Sequence, residues 1–181
     1  MLLGKIHARV PALNLVVIPF KLMHTFFNLK IKETNDKMRL VLNSDVEPFL
    51  KDLGWHGKGT KFKRIANDQY QTLEFQFNKY GGSFAVNLGI VEPVENFYGS
   101  SSENLKFVRS QRLGSLKKRI AKRQNMDHWF NFMLGIIIYI PSYRRAASEL
   151  LKVYVEQADL TFDSMQQSIN AGVDCIHLGQ V

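Results

Sequence analysis

The stretch from Gly54 to Ile90 constrains the fold most strongly, because its apolar residues alternate with polar ones. Leu73, Phe75 and Phe77 recur at every second position, and this spacing puts them on one face of a β-strand. The same alternation returns from Phe84 to Ile90. The stretch therefore predicts three consecutive strands of an antiparallel sheet, with one face buried and the other in water.

Two tight turns are predicted between these strands, at Asn67-Asp68 and at Gly81-Gly82. Asn, Asp and Gly adopt positive φ angles at little cost, as a sharp reversal between antiparallel strands requires. A fourth strand is predicted from Phe107 to Leu113, because it opens with two good strand formers and is followed by Gly114.

Helices are predicted before the sheet. Asn35 to Leu53 is expected to be helical, at least in its second half, with Ser44 and Glu47 as a capping box and Gly54 as the stop. One face of this helix is apolar and is expected to lie against the sheet. Its residues are Val46, Phe49, Leu50 and Leu53.

Three further helices are predicted after the sheet. The first runs from Met126 to about Gly135, the second from Ser142 to Ala158 with Ser142 as its cap, and the third from Thr161 to Asn170 with Thr161 as its cap. The second helix carries an apolar stripe that consists of Tyr143, Ala146, Ala147, Leu150, Leu151 and Tyr154. Together these elements predict an α+β fold, in which an antiparallel sheet of about four strands packs on one face against helices.

The chain of 181 residues, 45% of them hydrophobic, is expected to form one such domain over residues 38–172. Residues 1–37 are predicted to be an N-terminal arm or helix, and residues 173–181 a tail. The apolar stretch from Val10 to Phe20 lacks a cleavage site and is shorter than the roughly 20 residues that cross a membrane, so neither a signal nor a span is predicted. The single cysteine, Cys175, excludes an internal disulfide and favours a cytoplasmic protein.

Positive charge is concentrated in one internal segment. The formal net charge is +8, and the segment from Lys106 to Arg123 holds eight basic residues and no acidic one. Such a segment favours binding to phosphate groups or to an acidic protein surface. It can equally be the solvated face of a helix from Ser115 to Gln124. The candidate anion-binding residues are Arg109, Arg112, Lys117, Lys118, Arg119, Lys122 and Arg123, and exposed aromatic side chains such as Tyr80, Phe97 or Tyr98 could add stacking.

Residues 54–60 superficially resemble a phosphate-binding loop. Such a loop needs Gly-Lys followed at once by Ser or Thr, between a strand and a helix, whereas here Gly59 separates Lys58 from Thr60 and the order is helix, loop, strand. A mobile glycine turn is predicted instead. The five histidines are not spaced as metal ligands on a helix, so neither a metal nor another cofactor is predicted.

A series of short motifs runs through the chain. They are Leu53-Gly54-Trp55, Lys58-Gly59, Phe62-x-Arg64, Phe75-Gln76, Phe84-x-Val86-Asn87-Leu88-Gly89, Arg112-Leu113-Gly114 and Asp127-His128-Trp129-Phe130. This series resembles the bacterial family catalogued as domain of unknown function 4304, over roughly Met38 to Ser168. Trp55 stands where the family pattern has Phe, and Phe130 where it has Trp. The resemblance implies a fold but no activity.

The sequence favours a small protein that recognises a macromolecular partner, expected to be another protein, without catalysis. The first alternative is a nucleic-acid-binding module that uses residues 106–123. The second is an enzyme of unknown reaction, which would need Arg109, Arg112, Asp127 and His128 to converge in one cleft.

Overall fold

The computed structural model describes residues 33–101, 104–114, 128–134 and 140–172. The strands are β1 (His56–Lys58), β2 (Lys61–Ala66), β3 (Gln69–Phe77), β4 (Ser83–Val91), β5 (Phe107–Arg112), β6 (Phe130–Asn131), β7 (Met133–Leu134) and β8 (Ile140–Pro141). The main sheet is antiparallel, with the order β1-β2-β3-β4-β5 and with β6 also paired to β4, while β7 and β8 form a separate ladder. The predicted α+β fold is confirmed, with six strands in the sheet rather than about four.

Two helices pack against this sheet. Helix α1 covers residues 33–52 and contains a π-helical segment, Leu42–Val46, before its last turns, Glu47–Asp52. Helix α2 is Tyr143–Asn170. Both helices contribute to one hydrophobic core that also contains alternate residues of β2, β3 and β4. We call the sheet face that they cover the inner face, and the opposite one the outer face.

The strand pairing explains which residues lie on the inner face. Leu73 of β3 is opposite Leu88 of β4, and Phe75 is opposite Val86, so two apolar rows meet side by side. These four side chains are all buried. The predicted alternation is therefore confirmed.

The outer face is less open than the sequence predicts. The segment between β4 and β5 folds back over one end of it, where Val91, Phe97 and Leu105 form a small second cluster against Tyr70. Thr72, expected in water, is only 8% exposed. The remainder of the outer face carries the polar residues described below.

The two predicted turns have the expected backbone. Asn67 and Asp68 have φ angles of 52° and 57°, and Gly81 and Gly82 have φ angles of 75° and 79°. All four lie in the left-handed region that these residue types tolerate best. The strands that these turns connect, β2 with β3 and β3 with β4, are antiparallel neighbours, as predicted.

The predicted helix from Met126 to Gly135 is wrong for the part that the structure describes. Residues 130–131 and 133–134 are strands. Phe130 and Phe132 are both completely buried, and their rings lie 5.2 Å and 6.4 Å from that of Phe84. Phe130 and Phe132 are two positions apart, which puts both side chains on one face of a strand. An apolar run this short is also compatible with a helix, so the sequence does not decide between the two.

The two helices predicted from Ser142 to Asn170 are a single helix, α2. No glycine or proline separates them, and the predicted cap Thr161 is instead a completely buried residue whose hydroxyl donates to the Gln157 carbonyl at 2.7 Å. Ser142 does occupy the N-cap position, although its side chain makes no capping hydrogen bond. The predicted apolar stripe is confirmed, since its residues are buried or pack against the core. Gly172, with a φ of 65°, follows the helix end.

The capping box predicted at Ser44 and Glu47 is also wrong. Helix α1 is already formed at residue 33, and the Ser44 hydroxyl donates to the Val41 carbonyl at 3.2 Å within the π-helical segment. The helix end is as predicted: Gly54 has a φ of 79°, and its N–H donates to Lys51 while that of Trp55 donates to Leu50. This pattern is the Schellman motif. Leu53, predicted on the apolar face, is 42% exposed.

Several predictions concern residues outside the described part of the chain. They include the N-terminal arm up to residue 32, the helix proposed for residues 115–124, the tail from residue 173, and Asp127 and Cys175. These stay predictions. Helix α1 runs across the proposed domain boundary between residues 37 and 38, and Met38 is completely buried.

The glycine-rich turn before β2 offers a test of backbone sterics. A Cβ atom on Gly57 would lie 2.8 Å from the Phe62 Cα atom and still closer to the Lys61 carbonyl oxygen, whereas one on Gly59 would have nothing within 4 Å. Both residues have positive φ angles. We expect Gly57→Ala to lower the free energy of unfolding by about 3 kcal/mol and Gly59→Ala by about 1–2 kcal/mol, measured by urea denaturation. Equal losses would show that the β1–β2 pairing tolerates the added methyl group.

Candidate functional site

The two arginines of β5 that the sequence singles out lie on opposite faces of the sheet. Arg109 pairs with Ile90, a core residue of the inner face, whereas Arg112 pairs with the polar Asn87. Directly paired residues of an antiparallel sheet share a face, so Arg109 belongs to the inner face and Arg112 to the outer face. The single cleft containing both arginines that the enzyme alternative requires is therefore not formed.

Arg112 is the centre of a polar group on the outer face. Its Nη2 atom donates to Gln76 Oε1 at 3.0 Å, and Asn87 Nδ2 donates to the same oxygen at 3.1 Å. The Arg112 guanidinium carbon lies 4.9 Å from the centroid of the Trp129 ring, within the range of a cation–π contact. These contacts connect β3, β4 and β5 with the residue that precedes β6.

The chain leaves and rejoins the sheet at one place beside this group. Gly114, with a φ of 85°, follows β5 directly, and a Cβ atom added to it would lie 2.7 Å from the His128 ring. His128 Nε2 in turn lies 3.6 Å from a carboxylate oxygen of Glu149 on α2. Gly114 and His128, the described residues on either side of positions 115–127, are consequently close together.

Lys61 and Glu74 extend the polar group across the outer face. Their side chains form an ion pair of 3.7 Å, and Glu74 is opposite Asn87 in the pairing of β3 and β4. We call the combined set the outer polar surface. It consists of Lys61, Glu74, Gln76, Asn87, Arg112 and Trp129.

The aromatic residues proposed for stacking differ in their exposure. Phe97 is only 3% exposed, so its prediction as an exposed aromatic is wrong, whereas Tyr80 is 67% exposed and Tyr98 50%. Phe97 is buried because its ring packs on Tyr70 at 5.1 Å and lies near the Lys63 ammonium. Lys63 also donates to the Phe97 and Ser100 carbonyls, and burial lowers the pKa of its ammonium group. Phe97 and Lys63 therefore fix the loop to the sheet.

A second polar cluster, which sequence reasoning missed, lies on the inner side of β2. The Arg64 guanidinium lies over two adjoining rings, that of Trp55 at 4.7 Å and that of Phe162 at 5.6 Å. Its Nε atom donates to Gln71 Oε1 at 2.7 Å, and its Nη2 atom contacts Asp159 Oδ1 at 3.2 Å. Trp55 and Arg64 belong to the motif series, but residues 159 and 162 are about a hundred positions further along the chain. No local spacing could connect them.

Tyr154 completes the surroundings of Trp55. The Trp55 indole N–H donates to the Tyr154 oxygen at 2.7 Å, and both side chains are buried. Burial raises the pKa of the Tyr154 hydroxyl, so this group stays protonated at physiological pH. The hydrogen bond satisfies the indole nitrogen in the core.

The described residues contain no group of three metal-binding side chains close enough to hold an ion. No helix among these residues is both long and apolar enough to cross a membrane. A void between Leu50, Leu73 and Leu150 is lined by apolar groups and has no room for a water molecule.

Among the comparisons with known proteins, one family model matches the chain, over a range that includes the main sheet. No curated protein and no solved structure matches the chain. The family model described as Domain of unknown function (DUF4304) matches residues 46–136, which is 91 of the 181 residues. The match contains all six strands of the main sheet and the residues of the outer polar surface. The chain therefore belongs to the DUF4304 family.

Proposed function

We propose that this chain is a non-catalytic, cytoplasmic binding protein, and that it recognises an acidic surface of a partner protein. The binding site in this proposal is the outer polar surface together with the basic segment that follows β5. The observation that carries the proposal is the position of Arg112, in cation–π contact with Trp129 near the point where the chain leaves the sheet. Arginine and tryptophan are the residue types most often found to dominate binding at protein interfaces.

Chain connectivity supports a role for the basic segment. The five candidate cations that lie outside the described residues are each at most six positions from Gly114 or His128 along the sequence. Because Gly114 follows Arg112 by two positions and His128 directly precedes Trp129, residues of the outer polar surface are close in sequence to all five cations. They are Lys117, Lys118, Arg119, Lys122 and Arg123. An acidic partner would therefore meet positive charge from β5 and from this segment at once.

The mixed chemistry of the outer polar surface favours a protein partner. Gln76 and Asn87 offer amide donors and acceptors, and Glu74 places a carboxylate, 45% exposed in its side chain, next to them. A phosphate backbone laid across the strands would meet this negative charge. A protein surface can match both signs and hydrogen-bond with the amides.

Nucleic acid is the second candidate, because residues 106–123 carry eight basic side chains and no acidic one. Phosphate contacts of this number would make affinity fall steeply with salt concentration. Loss of the bound material on nuclease treatment would favour this candidate over a protein partner.

Two arginine variants on the same strand test the site. Arg112→Gln removes the guanidinium of the outer polar surface, and Arg109→Gln is the matched control, because it removes the same charge from the inner face. We expect the protein recovered from a nuclease-treated lysate by the tagged wild type to be recovered by Arg109→Gln as well, and at least tenfold less by Arg112→Gln. Equal recovery by all three would contradict the proposed site.

A charge-reversal variant tests the contribution of the basic segment. We expect replacement of its five cations by glutamate to abolish binding, since an acidic partner would then face repulsion. The same captured protein should be measured against the variant and wild type at two salt concentrations. Unchanged binding would show that the segment is not part of the site, which would then consist of the outer polar surface only.

A further inference from the structure

The Arg64 side chain is held in place before any partner arrives. Its guanidinium lies over two adjoining aromatic rings, and Gln71 accepts a hydrogen bond from Nε. Gln71 is itself fixed, because its Nε2 atom donates to Gln69 Oε1 at 2.8 Å. An arginine fixed in this way loses little conformational entropy when it binds an anion.

The anionic contact of this arginine is much less constrained. Asp159 approaches Nη2 with one oxygen at 3.2 Å, and its side chain is 88% exposed, whereas that of Arg64 is 12% exposed. Ion pairs with one partner in water contribute little, because solvent screens them and the long side chains lose freedom. A guanidinium can bind a carboxylate with two parallel hydrogen bonds, which this single contact does not use.

We propose that Arg64 is a binding site for a carboxylate of another molecule, and that Asp159 occupies this site until the ligand displaces it. The adjoining rings of Trp55 and Phe162 provide an apolar wall on one side, and this wall strengthens a charge-assisted hydrogen bond. The site lies on the inner side of β2, so it is separate from the outer polar surface and does not depend on the function proposed for that surface.

A purely structural role for Arg64 predicts different behaviour. In that case Asp159 joins β2 to α2, added carboxylate has no saturable effect, and removal of the Asp159 charge only weakens the fold. If Asp159 is a displaceable occupant, neutralising it makes the site easier to fill. The sign of the change in carboxylate affinity therefore distinguishes the two roles.

The test uses acetate as the probe and Trp55 as the reporter. Trp129→Phe leaves Trp55 as the single tryptophan of the chain, and its ring lies 4.7 Å from the Arg64 guanidinium. We expect its fluorescence to change saturably with sodium acetate but not with sodium chloride at equal ionic strength. The melting temperature should rise in parallel, because a ligand that binds the folded state stabilises it.

Variants of Asp159 and Arg64 in this background complete the experiment. We expect Asp159→Asn to tighten acetate binding by up to roughly fivefold. Asp163→Asn, which neutralises an exposed acid one turn further along α2, should leave the affinity unchanged. Arg64→Gln should abolish the response, and circular dichroism must show that this variant is folded.

Three outcomes would overturn the proposal. The first is the lack of a saturable acetate response in both the Trp129→Phe background and its Asp159→Asn derivative. The second is a response that persists in folded Arg64→Gln. The third is equal tightening by Asp159→Asn and Asp163→Asn, which would indicate a general effect of net charge. If Arg64→Gln does not fold, the comparison of the two aspartate variants still decides the matter.

Discussion

Replacing Trp55 with alanine is expected to lower the free energy of unfolding by about 3–5 kcal/mol, as for other large aromatic residues removed from a core. Trp55 is 1% exposed and lies where three elements meet. Its ring packs on Phe162 of α2 and on Arg64 of β2, and its N–H donates to Tyr154. The substitution would open a large cavity and also remove one of the two rings that contact a largely buried guanidinium.

Urea denaturation of the full chain would measure this loss. Trp129→Ala is the matched control, because Trp129 is partly exposed and its described contact is with Arg112 at the sheet surface. We expect the control to cost about 1 kcal/mol or less. Similar losses from the two variants would contradict the central position that we assign to Trp55.

The hydrogen bond of Trp55 can be separated from its packing. Trp55→Phe keeps an aromatic ring but removes the donor to Tyr154. Tyr154→Phe removes the acceptor and nothing else. A double-mutant cycle over the two changes is expected to give a coupling of about 1 kcal/mol, and a cycle without coupling would show that the bond contributes nothing.

The sheet could be predicted from sequence because its signals are local. Strands β3 and β4 are defined by a period of two, and the turns before and after β3 consist of residues that tolerate positive φ. The end of α1 at Gly54 is equally local, since the Schellman motif is formed within six residues. Such features depend on neighbours in the chain and are therefore readable one segment at a time.

The elements that were predicted wrongly depend on distant contacts. Phe130 and Phe132 are extended because their rings pack against Phe84, nearly fifty positions earlier. Thr161 lies inside α2, where its hydroxyl donates to the Gln157 carbonyl and its side chain is completely buried. Neither packing arrangement is visible in a short window of sequence, where tertiary contacts override local preference.

The candidate site also combines features that local sequence predicts with features that depend on distant contacts. That Arg109 and Arg112 lie on opposite faces follows from their separation of three in a strand, and this much was available from the sequence. The contact of Arg112 with Trp129 could not be predicted, because it depends on where the fold places the residue before β6. The contact of Arg64 with Asp159 could not be predicted either, because these residues are 95 positions apart. Both sites are assembled by the fold.

The aromatic core around Phe84 gives the second large effect. Phe84 is completely buried, and its ring lies within about 6.4 Å of the rings of four other phenylalanines. They are Phe75, Phe77, Phe130 and Phe132. Phe84→Ala would therefore remove one ring from every one of these pairs at once, and we expect it to lower the free energy of unfolding by about 3–5 kcal/mol.

Phe107→Ala is the control for this change on the same sheet. Phe107 is 48% exposed on β5, where it packs over Gly89 of the outer face, so its removal opens no closed cavity. We expect a loss of about 1 kcal/mol. Because Phe84 pairs directly with Phe130 of β6, the Phe84→Ala variant should also release β6. Hydrogen exchange should then show faster exchange at residues 130–132 than in the control, and unchanged protection there would mean that β6 is held by other contacts.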